Sequence, residues 1–154
     1  MNQTKLVEKL IEKGYRICFA ESCTGGMLSS AIVDVPAASS VLDMGFVTYA
    51  NDAKIKLLGV SAQLIEKYGV VSEQVAEQMA IGAAKQSGAQ VAVGVSGIAG
   101  PTGGSDKKPV GTVCFGFYIN GQTITKTCHF GNLGRNNVRK SACEFVIDTL
   151  IEMI

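Results

Sequence analysis

The sequence predicts a three-layer α/β domain, in which a mixed, mostly parallel sheet is flanked by helices and carries one β-hairpin. Helix-period segments alternate with short β-rich runs from the N-terminus to Val95, the pattern of strands connected by helices. An Asn-Gly pair at 120–121 then separates two strand-like runs, which signals a hairpin and makes the sheet mixed. Polar, glycine-bearing segments follow the strands ending at Ala20, Tyr49 and Val95. Ligands bind beyond the carboxyl ends of strands in such sheets, so these three segments are expected to meet at one site.

Each element has its own justification. Leu6, Val7, Leu10 and Ile11 recur at helical spacing, and Gly14 stands where that helix ends. Tyr15 to Ala20 reads as a buried strand, Met27 to Val33 as a helix stopped by Pro36, and 45–49 as a β-rich run. Asn51 is placed to cap a short helix carrying Lys54 to Leu58, and a further short helix is expected over Ser61 to Tyr68. Ser72 caps a long helix reaching about Gln86, with Gly88 after it. The β-branched run 91–95 has the character of a central strand. Arg135 to Met153 closes the chain as an amphipathic helix with Val138, Ala142, Phe145, Val146, Leu150 and Met153 on one side.

Composition narrows the function classes. The 154 residues suit a single domain, 1–154, large enough to bury a core without metals or disulfides. A net charge of +1, no basic runs and no tryptophan argue against nucleic acid as partner and against an anionic membrane surface. The five cysteines are odd in number and form no C-x-x-C, which reads as reduced thiols in a cytoplasmic protein. The N-terminus lacks an apolar signal core, and no apolar run reaches the ~18 residues of a membrane span. One histidine, His129, and scattered cysteines supply a zinc site poorly, so no metal is expected.

The first candidate segment is Glu21-Ser22-Cys23-Thr24-Gly25-Gly26. A helix starting near Thr24 to Gly26 would offer free backbone N–H groups, suited to a phosphate or to an oxyanion formed beside a serine. The same residues suit an N-cap serine in a tight turn. Cys23 is a rival nucleophile activated by the same helix end, or a small buried thiol.

In the second segment, Tyr49 ends a strand and Lys54 lies in the first turn of the next helix. A helix N-terminus disfavours a cation and lowers its pKa, and a lysine so lowered can serve a serine as general base. A solvated surface lysine fits the spacing too. The sole histidine sits in a hairpin strand, so lysine is the better available base for Ser22.

The third segment, 96–104, holds four glycines and a proline and has no periodicity, a defined loop or a long surface connection. Gly94, Gly97 and Gly100 do not form the dinucleotide fingerprint. A strand followed by such a loop suggests a phosphate or carboxylate site. Arg135 and Arg139 lie one helical turn apart, either as a clamp for phosphate or carboxylate or as two surface arginines.

Together the blocks 20–26, 45–54, 69–72, 95–104, 108–113 and 135–139 resemble, in order and spacing, the CinA C-terminal-domain family of nicotinamide-mononucleotide deamidases. The resemblance implies hydrolysis of the carboxamide of nicotinamide mononucleotide to nicotinic acid mononucleotide and ammonia, a pyridine-nucleotide salvage step with no cofactor. It implies Ser22 as nucleophile, with Lys54 and Tyr49 handling protons. Glu21, Thr24, Gly25, Gly26 and Asn51 are the implied substrate contacts from the first two segments. Gly97, Gly100, Pro101, Thr102 and Gly103 are those of the third, with Arg135 or Arg139 beside them. A homo-oligomer and a stand-alone enzyme are expected on the same ground. Two positions depart from the family pattern: Gly-Asn-Leu-Gly-Arg stands where Gly-Asp-Arg is usual, and Ala37 replaces a glycine. The reading from another class is a non-catalytic nucleotide-binding module of the same fold.

Overall fold

The computed structural model describes Met1–Ile154. Six α-helices and five strands follow one another: α1 (Gln3–Lys13), β1 (Ile17–Glu21), α2 (Met27–Val33), β2 (Phe46–Val47), α3 (Asn51–Leu58), α4 (Ala62–Tyr68), α5 (Glu73–Ser87), β3 (Val91–Gly97), β4 (Thr112–Ile119), β5 (Gln122–His129) and α6 (Arg135–Met153). The strand order is β2-β1-β3-β4-β5. Strands β2, β1 and β3 pair in parallel, and β4 runs against both of its neighbours, so β4 alone is reversed.

Alternation along the strands builds the two faces. Ile17, Phe19, Val91, Val93, Val95, Phe115 and Phe117 pack with α1, α2 and α6 in the larger core. Cys18, Ala20 and Ala92 point the other way, towards Leu58, Val75, Met79 and Ala83 of α3 and α5. Each fully buried Val, Leu, Ile or Phe side chain contributes about 1.5–3 kcal/mol of hydrophobic stabilisation, so the sandwich needs no disulfide. All five cysteines are free.

Gly94 and Gly116 are register partners on β3 and β4. A Cβ on either would collide with the backbone at Ala76 of α5, so these two residues let the helix lie directly on the sheet. The Asn120-Gly121 turn has both residues at positive φ, 48° and 88°, as a two-residue hairpin requires.

Two expectations change in detail. Strand β2 spans only Phe46–Val47, because the chain leaves the sheet where Thr48 and Tyr49 turn their carbonyls to Lys54. Ala50, not Asn51, is the N-cap of α3, and Asn51 is its first helical residue with no capping bond. Ala37 adopts φ 69°, a left-handed conformation that costs an L-residue about 1–2 kcal/mol. Ala37→Gly is therefore expected to stabilise the fold by about 0.5–1 kcal/mol once the extra freedom of unfolded glycine is deducted. A rise in thermal midpoint measures this; a fall would show that the left-handed residue carries no strain.

No helix is long and apolar enough to cross a membrane.

Candidate active site

The register aligns the carboxyl ends of β2, β1 and β3: Glu21 lies opposite Val47 on one side and Val95 on the other. The three polar segments that follow therefore emerge at one edge of the sheet. Together with residues 69–71, Lys108 and Arg135, they line a single cleft of about 510 Å³.

Ser22 is the first residue beyond β1, and its N–H still bonds to the Val95 carbonyl at 3.1 Å. Its side chain sits 8% exposed at the cleft floor. Lys54 reaches it from the first turn of α3, with Nζ 3.0 Å from Ser22 Oγ. That Nζ also donates to the carbonyls of Thr48, at 2.7 Å, and Tyr49, at 3.2 Å. Lys54 is 1% exposed and has no carboxylate partner; the only ion pair in the protein joins Arg16 and Asp43. Burial disfavours the ammonium and pulls the Lys54 pKa below 10.5, opposed only by the Cys23 thiol.

The neutral amine satisfies this geometry. It has two N–H donors, which match the two carbonyls, and one lone pair left for the serine hydroxyl. An ammonium would present a third donor to Ser22 instead. The three donors of an ammonium fit the same three oxygens, so the geometry serves both forms, and it is burial that shifts the balance towards the neutral amine.

Cys23 is 6% exposed, and burial pushes its thiol up to about 11. Arg139 opposes this shift only in part. A thiol at that value is protonated near neutrality and is a poor nucleophile.

The turn carrying Ser22 is held from two sides. The fully buried Glu21 carboxylate accepts from the N–H groups of Leu28 and Ser29, at 2.8 and 3.1 Å, and from the Ser29 hydroxyl. Arg139 donates from Nε to the Cys23 carbonyl at 2.8 Å and from a terminal nitrogen to the Thr24 carbonyl at 3.1 Å. N–H and C=O point in opposite directions across a trans peptide, so Arg139 turns the Thr24 N–H away from α6. The N–H groups of Cys23, Thr24 and Gly26 have no acceptor within the chain.

These contacts redistribute the expected site residues. Ser22, Lys54, Tyr49, Asn51, Gly97, Gly100, Thr102, Gly103 and Arg135 all line the cleft. Glu21 does not, because its carboxylate caps α2; the helix N-terminus expected to face a ligand is closed by the chain's own anion. Thr24 is fully buried, and Gly25 and Gly26 form the turn before the helix, outside the cleft wall. Pro101 is exposed and points elsewhere, and Arg139 braces the Ser22 turn from outside.

Arg135 is the arginine of the pair that reaches the cleft. It donates to the Gly100 carbonyl at 2.8 Å and to the Tyr49 hydroxyl at 2.9 Å. Tyr49 is 62% exposed and meets Lys54 through its backbone carbonyl, while its hydroxyl belongs to Arg135. Sequence reasoning missed Ser105 and Lys108, which also line the cleft. Their signal was position alone, just after the glycine-rich loop. No three His, Cys, Asp or Glu side chains converge as a metal-binding group.

Known proteins are similar to this chain in sequence and in fold. The family model of the CinA C-terminal domain matches residues 2–154. Nicotinamide-nucleotide amidohydrolase PncC of Enterobacter agglomerans is 47% identical over 159 aligned residues, covering 98% of this chain and 96% of that protein. A CinA-like protein of Kosmotoga olearia is 45% identical over 94% of this chain, which spans only 35% of that relative's length. Several other similar relatives are likewise about three times as long as the matched region. Among solved structures, a CinA superfamily protein of Escherichia coli superposes with a TM-score of 0.95 at 39% identity, covering 99% of this chain and 88% of that one. The competence/damage inducible protein CihA of Agrobacterium tumefaciens gives 0.92 at 39% identity, covering 99% and 95%. With the family pattern running from residue 2 to residue 154 and the whole fold in common with these structures, the chain belongs to the CinA C-terminal domain family.

Proposed function

We propose that the chain hydrolyses the carboxamide of nicotinamide mononucleotide to nicotinic acid mononucleotide and ammonia, with Ser22 as nucleophile and Lys54 as general base. One observation carries the reading: a buried lysine without a counter-ion, its Nζ 3.0 Å from the hydroxyl of a serine at the floor of a cleft. The 47% identity to an amidohydrolase named for nicotinamide nucleotide supplies the substrate class. The cleft volume lies within the usual range for small-molecule sites, about 300–1,000 Å³. Its wall carries Lys54, Lys108 and Arg135 and no Asp or Glu, which suits an anionic substrate.

Ser22 Oγ attacks the amide carbon as its proton passes to Lys54 Nζ. The tetrahedral oxyanion is received by the unpaired N–H of Cys23, which lines the cleft in the turn that Glu21 and Arg139 hold in shape. Lys54 returns the proton to the leaving nitrogen, the C–N bond breaks, and ammonia departs from an acyl-enzyme. Lys54, neutral again, takes a proton from water, whose oxygen attacks the ester carbon. The second intermediate collapses to the carboxylate and Ser22 recovers its proton. Tyr49 enters through Arg135, which its hydroxyl orients across the cleft mouth.

The direct test incubates the purified chain with nicotinamide mononucleotide and a metal chelator, then quantifies ammonia and nicotinic acid mononucleotide. Equimolar release of both is the expected result. Binding of the nucleotide without release would replace the hydrolase with a nucleotide-binding module.

A further inference from the structure

Strand β5 is an open edge of the sheet, with β4 as its only neighbour. The Asn120-Gly121 turn closes on Ile119 and Gln122, the first hydrogen-bonded pair of a two-residue hairpin. The even-numbered residues of β5 therefore bond to β4, and Phe130 continues the series by donating to the Gly111 carbonyl at 2.9 Å. Thr123, Thr125 and Thr127 turn their N–H and C=O groups outward, where no other segment of the chain pairs with them.

Exposed edges are normally guarded by a proline, a bulge, a short strand or a charge standing across them. This edge has no such guard. Strand β5 is eight residues long, contains no proline and pairs with β4 without interruption. Its one charged residue, Lys126, folds back onto α6, with Nζ 6.0 Å from the centre of the Phe145 ring. On the other face the Thr123, Thr125 and Thr127 hydroxyls donate to Glu77 and Glu73 and tie the strand to α5. Ile124, with its side chain on the α6 face, is left 42% exposed.

The charges beside this edge are also polarised. Glu77 sits by Thr123, near the turn. Lys107, Lys108 and His129 lie at the opposite end of the depression between α5 and β5, where Lys108 is anchored to the Tyr68 carbonyl ahead of the α5 N-terminus. Neither lysine is paired with a carboxylate.

We propose that β5 is the interface for a second copy of this chain, the two β5 strands pairing antiparallel about a two-fold axis and joining two five-stranded sheets into one. A two-fold axis matches the outward donors of each strand with the outward acceptors of the other. Antiparallel pairing lays the acidic end of one edge beside the basic end of its partner, whereas parallel pairing sets like charges together. Registers centred on Ile124 or Thr125 bury Ile124 and keep the two Lys126 side chains from facing each other.

The experiment determines the mass of the full chain and of edge variants by sedimentation over a range of concentrations. The native chain is expected at twice its 16.1 kDa. Thr125→Pro deletes an outward N–H and no bond to β4, so it should be monomeric. Thr125→Ala loses the same hydroxyl contact with Glu73 but keeps the N–H, so it should remain a dimer, which separates the ladder from a folding defect. Ile124→Lys, at an exposed position, should raise the dimer dissociation constant by about 10-fold or more. A monomeric native chain overturns the proposal and leaves the edge to a strand of a different protein. A dimer that survives both Thr125→Pro and Ile124→Lys overturns it too and moves the interface to another surface. Should Thr125→Pro fail to fold, Ile124→Lys decides alone.

Discussion

Ser22→Ala is expected to remove ammonia release, lowering kcat on the order of 10⁴-fold or more, the usual cost of deleting a nucleophile from a unit that acts together. The variant should still fold. Ser22 contributes its backbone N–H to the Val95 carbonyl, and alanine keeps that bond. Only the contact with Lys54 Nζ disappears, and an unpaired buried lone pair costs about 1–3 kcal/mol. Nucleotide affinity should persist, since the cations of the cleft wall are untouched. Hydroxylamine added to the native enzyme should divert the acyl-enzyme to a hydroxamate, and the alanine variant should form none. Undiminished release by Ser22→Ala would return the nucleophile to Cys23 or to water. The raised thiol pKa of about 11 argues against Cys23 in advance.

The second large effect belongs to Lys54. Replacing it with methionine keeps the length and apolar stem while deleting the base, and kcat is expected to fall by about 10²–10⁴-fold, the range of general-base catalysis. The pH dependence carries more information. Burial holds the Lys54 pKa below 10.5, so the neutral amine becomes available at a lower pH than an ordinary lysine allows. In the native enzyme kcat/KM should rise with pH through that lowered pKa and then level off. The residual rate of Lys54→Met should lack this limb; a limb that survives unchanged would assign it to another group.

Stability follows with a definite sign. The folded chain binds the Lys54 proton less tightly than the unfolded chain, so the unfolded state carries more protons between the lowered pKa and 10.5. Native stability therefore gains from this residue as pH rises through that window, and bears the full penalty of a buried ammonium below it. Methionine has no such penalty, though it leaves the Thr48 and Tyr49 carbonyls without their donor at every pH. The stability of Lys54→Met minus that of the native chain should accordingly fall as pH increases, as denaturant titrations at several pH values would show.

Elements whose signals are local were readable from the chain. Helix α1 ends at the left-handed Gly14, α5 is capped by Ser72 accepting from the Val75 N–H, and α6 covers Arg135–Met153 as its apolar spacing implies. The hairpin follows from Asn120-Gly121, whose backbone requirements few other pairs meet. Strand β2 was legible only as β-rich composition. Its ladder stops at Val47 because the next two carbonyls serve Lys54, a demand arising from a residue on another element. Strand β3 runs on to Gly97 because Ser96 and Gly97 find partners in Cys114 and Val113, far away in sequence.

The site divides the same way. Composition and spacing alone determined that Ser22, Tyr49, Lys54 and the 96–104 loop follow strand ends in an α/β domain, because strand and turn chemistry act over a few neighbouring residues. What each polar group does there was decided by tertiary structure. Glu21 and Arg139, read as substrate contacts, became braces for the Ser22 turn, since α2 and α6 bring them donors or acceptors from 7 to 116 residues away. The Tyr49 hydroxyl went to Arg135 rather than to the serine, and Lys108 reached the cleft through the carbonyl of Tyr68, 40 residues earlier. Hydrogen-bond partners and desolvation depend on which surfaces the packed layers bring together, and that is also what gives Lys54 its lowered pKa.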